Sequence, residues 1–163
     1  MSFENGLISI GPRDPQQISA LASEAGFDVY IISTPSGTDA SAFFQSVRSV
    51  LPLDPPLLSN DNWDALIDSL GGGIAELESL GVVIIWADAL NLRAVSPRDF
   101  RVAMACLERV TEHVANPDWT DRPKQLSVFV NLESGNYSSD QWPYEVLGGG
   151  PDGDDNRCDA TGG

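Results

Sequence analysis

Residues 81–87 read Gly81-Val82-Val83-Ile84-Ile85-Trp86-Ala87, the longest apolar stretch of the chain, with no polar residue alternating into it. A run this short and this rich in β-branched side chains reads as a strand covered on both faces, and it is far below the roughly 20 residues that span a bilayer. Upstream, Val29-Tyr30-Ile31-Ile32 is a second such run, closed by Pro35-Ser36-Gly37; downstream, Leu126-Ser127-Val128-Phe129-Val130 is a third. Helical segments separate all three, and strands separated by helices pair in parallel through crossovers. The expected class is therefore α/β, a small three-stranded parallel sheet covered by helices. Leu7 to Ile10 is a possible extra N-terminal edge strand.

The helices announce themselves by their ends. Asp14-Pro15-Gln16-Gln17 has the order of N-cap, first-turn proline and third-position glutamine, followed by Ile18, Leu21, Ala22 and Ala25 at helical spacing and Gly26 as a stop. A second helix starts after Thr38, with Phe43, Val47, Val50 and Leu51 on one face. The proline-rich linker 51–60 is extended and semi-rigid, and it delivers a helix from Asp61 in which Trp63, Leu66, Ile67 and Leu70 recur at i, i+3, i+4 and i+7. Gly71-Gly72-Gly73 reads as the stop of that helix, with a further short helix over 74–80. Ser96-Pro97-Arg98-Asp99 opens the last helix, which runs through Phe100, Met104, Leu107, Val110 and Val114.

With 163 residues the chain is long enough for one domain with a single core. Its net charge is −15, which opposes direct binding to nucleic-acid phosphates or anionic membranes and favours basic protein partners. The tail 133–163 is acidic and rich in Gly and Asp, and residues 148–163 lack the apolar content to offset ordering entropy, so a folded domain over 1–132 and a disordered tip are expected. The start shows no basic segment followed by an apolar one, which predicts a cytoplasmic location. Cys106 and Cys158 lie 52 positions apart in no metal-binding pattern and are expected as two reduced thiols.

Enzyme chemistry finds little footing. His113 is the only histidine and has no triad or ligand cluster around it in sequence, and the glycine run lacks the Lys and Ser/Thr of a phosphate loop. No cofactor, metal or catalytic residue is expected. Acidity, by contrast, is concentrated: between Ser49 and Leu92 there is no Lys or Arg, yet seven acids fall there, among them Asp61, Asp64 and Asp68. On a helix these three lie within about 60° of arc, away from the apolar stripe. Asp64 and Asp68 are an i, i+4 like-charge pair, which costs a helix a few tenths of a kcal/mol unless something compensates it. A solvated face and a docking surface for a cationic pocket both account for that, whereas a catalytic metal site would need ligands converging in a cleft.

Asn62-Trp63-Asp64-Ala65-Leu66-Ile67-Asp68-Ser69-Leu70 resembles the N-[WL]-D-A-L-x-D-x-L helix of the barstar family, and the order of strands and helices over residues 6–132 is similar to that family's. Barstar-like proteins are intracellular inhibitors of barnase-type ribonucleases. The resemblance implies a barstar-like fold, monomeric when free, whose acidic helix enters the basic active-site cleft of a nuclease toxin, either barnase-like or a divergent ribonuclease. It also implies contact residues: Asp68 as the central phosphate mimic, Asp64 one turn before it, Asp61, and Leu58 and Asn60 in the leading loop. Ile67 counts among them too, standing where the family's prototype carries an aromatic. Leu57, Leu58, Ser59 and Asn60 replace the aromatic and glycine usual before the motif. An interaction module of the same family, regulating or assembling without nuclease inhibition, is the alternative.

Overall fold

The computed structural model describes residues 3–10 and 15–132. Four strands, β1 (Gly6–Ile10), β2 (Asp28–Ile32), β3 (Gly81–Trp86) and β4 (Gln125–Asn131), form one all-parallel sheet in the order β1-β4-β3-β2. The N-terminal segment thus supplies the extra edge strand, pairing Gly6 with Ser127 and Ile10 with Asn131. All six residues of β3 are buried, which explains its lack of alternation. Val83 and Ile85 point into a small cluster with Ile10, Phe129 and, from helix α1 (Pro15–Glu24), Ile18 and Ala22. Val82, Ile84 and Trp86 point the other way, into the main core.

That main core is roofed by α2 (Ala40–Val50), α3 (Trp63–Ala75), α4 (Ala89–Val95) and α5 (Pro97–Ala115). Two of these start where the sequence leads one to expect. Asp39 caps α2 by accepting from the Ser41 N–H, and Ser96 caps α5 by accepting from the Asp99 N–H. The cap expected at Asp14, the disordered tip and the tail lie outside the described residues.

Two expectations are corrected. The glycine run does not end the third helix: α3 continues through it to Ala75, and no separate helix occupies 74–80. The linker explains this, because a Cβ on Gly72 would land on the Asp54 carbonyl and one on Gly73 on the Pro52 carbonyl. These glycines let another backbone approach the helix rather than stop it. Between β3 and the last helix the chain also forms α4, seven residues long, which no side-chain cap announces. Cys106 is fully buried in α5, and Cys158, the second of the expected thiols, lies outside the described residues.

Candidate functional site

Helix α3 presents two unlike faces. Leu66, Leu70 and Ile74 are fully buried, and Trp63 leans on Phe43 and Phe44 of α2 with ring centroids 5.8 and 4.7 Å away. This packing fixes the first turn of the helix from below. Asn62 fixes its end, since its extended backbone places Oδ1 3.0 Å from the Ala65 N–H.

The cap residue changes the position of Asp61, which lies outside the helix instead of in its first turn. Its place is set by Ser59. The Ser59 hydroxyl donates to Asp61 Oδ1 at 2.7 Å and accepts from the N–H groups of Asp61 and Asn62, both at 2.9 Å. A local hydroxyl turn of this kind competes with helix and wins one residue before the cap. Asp61 is exposed, Asp64 is half-buried, and Asp68 is exposed one helical turn further on.

The leading loop is anchored at alternate points. Leu57 is buried in the core while its neighbour Leu58 is 90% exposed, an apolar knob beside the acidic helix. Arg48, in the last turn of α2, donates to the Ser59 carbonyl at 2.9 Å and to Asn60 Oδ1 at 2.5 Å. The cation closest in sequence to the loop therefore braces its backbone and aims Asn60. The Asp68 side chain has no hydrogen-bond or ion-pair partner among the described residues. A rigid helix thus offers an uncompensated carboxylate to solvent, in a chain whose net charge already repels anions.

Ile67, expected among the contact residues, is only 5% exposed and belongs to the main core. Its edge lines a cleft of about 230 Å³ between α3 and the end of α5, together with Asp68, Gly71, Gly72, His113 and Trp119. Nothing in the sequence pairs His113 with Trp119. His113 and Trp119 stack with ring centroids 4.4 Å apart and planes 10° from parallel, and Trp119 stays 66% exposed. A tryptophan set among Asn, Pro and Asp in a turn, with no core to fill, was the available signal.

Among the described residues no group of three or more His, Cys, Asp or Glu side chains is placed to hold a metal ion, and no helix is long and apolar enough to cross a membrane. What the geometry provides is charge and shape on a fixed surface: carboxylates at the start and middle of α3, a braced polar loop, and an apolar knob. The family model described as Barstar (barnase inhibitor) matches residues 27–131, which takes in every strand but the first and every helix but the first. No curated protein and no solved structure matches the chain.

Proposed function

The chain belongs to the barstar family, and from that premise we propose that it inhibits a ribonuclease of the barnase type by seating the acidic face of α3 in the enzyme's basic cleft. The observation that carries this reading is Asp68: an exposed carboxylate on a helix fixed by its core packing and its cap, without a partner among the described residues. In the cleft it stands in for an RNA phosphate, where cationic side chains that bind phosphate can bond it instead. Asp64 and Asp61 extend the negative field, Leu58 adds apolar contact, and Asn60 adds a polar one. The inhibitor performs no chemistry, binds no nucleic acid and is monomeric when free. It protects the RNA of the cell that holds it, which places it in the cytoplasm as an immunity protein against a toxin.

With no aromatic in the leading loop 57–60, the preferred partner within that type is a divergent ribonuclease whose cleft accommodates the exposed Leu58 rather than stacking on a ring there. The test is a ribonuclease assay with a purified barnase-type enzyme and the full chain. Stoichiometric loss of activity, reversed by Asp68→Lys, supports the reading; full activity at excess of the unaltered chain overturns it and leaves the non-inhibitory interaction module.

A further inference from the structure

The cleft between α3 and α5 is separate from the exposed acidic stripe yet shares Asp68 with it. The turn that carries Trp119 is tightly tied. Asn116 accepts from the N–H groups of Trp119 at 2.9 Å and Thr120 at 3.2 Å through its carbonyl, and from the Asp118 N–H at 2.9 Å through its side chain. Thr120 Oγ1 then accepts from the Arg122 N–H. An exposed indole is thereby held in one place, with His113 against it. Asp118 and Asp121 flank it, both exposed, and the guanidinium of Arg122 is directed to the Leu77 carbonyl at 3.4 Å.

A planar aromatic pair, a carboxylate at the rim and further acids around it are the chemistry that recognises a guanidinium, which stacks on ring faces and bonds a carboxylate with two parallel N–H groups. At about 230 Å³ the cleft is smaller than the 300–1,000 Å³ typical of small-molecule sites, and suits one inserted side chain. We propose that the Asp68, His113 and Trp119 cleft receives one arginine side chain of the protein partner, and so extends the docking surface from α3 to the end of α5. The identity of the partner rests on the inhibitor reading above; the preference of the cleft for arginine does not.

Two measurements separate the claims. In the first, the Trp119 indole N–H and His113 ring signals of the full chain are followed by NMR during titration with acetyl-arginine amide and with acetyl-lysine amide at one ionic strength. Arginine should move both signals saturably and bind about three-fold or more tighter than lysine, since it alone combines stacking with a carboxylate fork. Asp68→Asn and Trp119→Leu should each erase that preference. Signals that stay still, or respond equally to both cations, overturn the proposal.

In the second, affinity for a purified barnase-type ribonuclease is measured for the chain and for Trp119→Ala, Trp119→Phe and Asp68→Ala. Trp119→Ala should weaken the complex by about ten-fold or more, in the range of tryptophan hot spots, and Trp119→Phe should recover part of the loss. If Asp68→Ala weakens binding and Trp119→Ala does not, the cleft proposal fails and the inhibitor reading stands. If the ribonuclease is not bound at all, the inhibitor reading fails, and the amide titration alone decides the cleft. Self-association by sedimentation that Trp119→Ala removes would show that a second copy covers the cleft, and would overturn the proposal.

Discussion

The backbone N–H of Asp54 donates to the carbonyl of Ser69 at 2.8 Å, tying the proline-rich linker to the flank of α3 just before that helix's glycines. The linker backbone crosses so close that side chains at Gly72 and Gly73 have no room, because the atoms they would meet are main-chain carbonyls that cannot rotate away. Gly71, one residue earlier, has open space beside it. Gly73→Ala should therefore cost about 2 kcal/mol or more, as overpacking against backbone does. Gly71→Ala should stabilise the protein by about 0.5–1 kcal/mol through helix propensity alone. Urea unfolding of the two variants reads both signs, and a destabilised Gly71→Ala would contradict the account of the crossing.

Asp68→Ala should weaken inhibition of a barnase-type ribonuclease by about 2 kcal/mol or more, on a hot-spot scale that barnase–barstar complexes themselves helped to set. Folding should be unaffected to within about 0.5 kcal/mol, as for other exposed substitutions. Association should slow as salt rises from about 0.05 to 0.5 M, because steering acts through fields that salt screens. Stopped-flow association rates across that range check this, and a salt-independent rate would argue against steering.

Leu57 and Leu58 are adjacent and should behave oppositely. Leu57→Ala opens the core and should cost about 2–5 kcal/mol of stability. Leu58→Ala should leave the unfolding midpoint where it is and act only on the affinity for the ribonuclease. Calorimetric titration beside thermal melts of both variants separates the two effects.

Glu108 on α5 is half-buried, and burial, with Glu112 one turn away as the smaller cause, raises its carboxyl above the ordinary glutamate range. A carboxyl raised in the folded state favours folding while it is protonated, below its unfolded pKa, and that advantage is lost as pH rises through the folded value. Glu108→Gln should thus stabilise the protein at pH 7 and change less at pH 4, where the glutamate is largely protonated as well. Urea midpoints at the two pH values give the comparison; an equal effect at both would point to packing instead of charge.

The parts of this fold that were legible in the sequence are those whose causes are local. The β3 strand shows as an unbroken apolar run because both its faces are covered, and α5 begins at a Ser-Pro pair that caps it. What stayed hidden depends on distant partners. The segment Gly6–Ile10 is so short that alone it reads only as a possible strand, and it becomes one because β4, more than a hundred residues later, lies beside it. The glycines of α3 look like a stop until the linker lies against them. Helix α4 has no side-chain cap to mark it, since the Asp88 carboxylate is engaged by the Thr34 N–H and the Ser33 hydroxyl, each at 2.6 Å. At the site, the motif located Asp64 and Asp68 but not the Asn62 cap that leaves Asp61 in the loop, and Trp119 comes to line one cleft with Asp68 only through the packing of α3 on α5.

The sheet order carries a consequence for how the chain is made. β4 sits between β1 and β3 and is the last of these four strands to be synthesised, so β1 waits without a partner while everything from α1 to α5 is made. β2 and β3 can pair as soon as residue 86 has emerged, but the N-terminal strand has nothing to join until residues 125–131 arrive. Closure is thus a late, long-range event of the kind that folds slowly. A ribosome that stops short of β4 releases a chain with the acidic helix already written into it and no complete sheet to hold that helix in place.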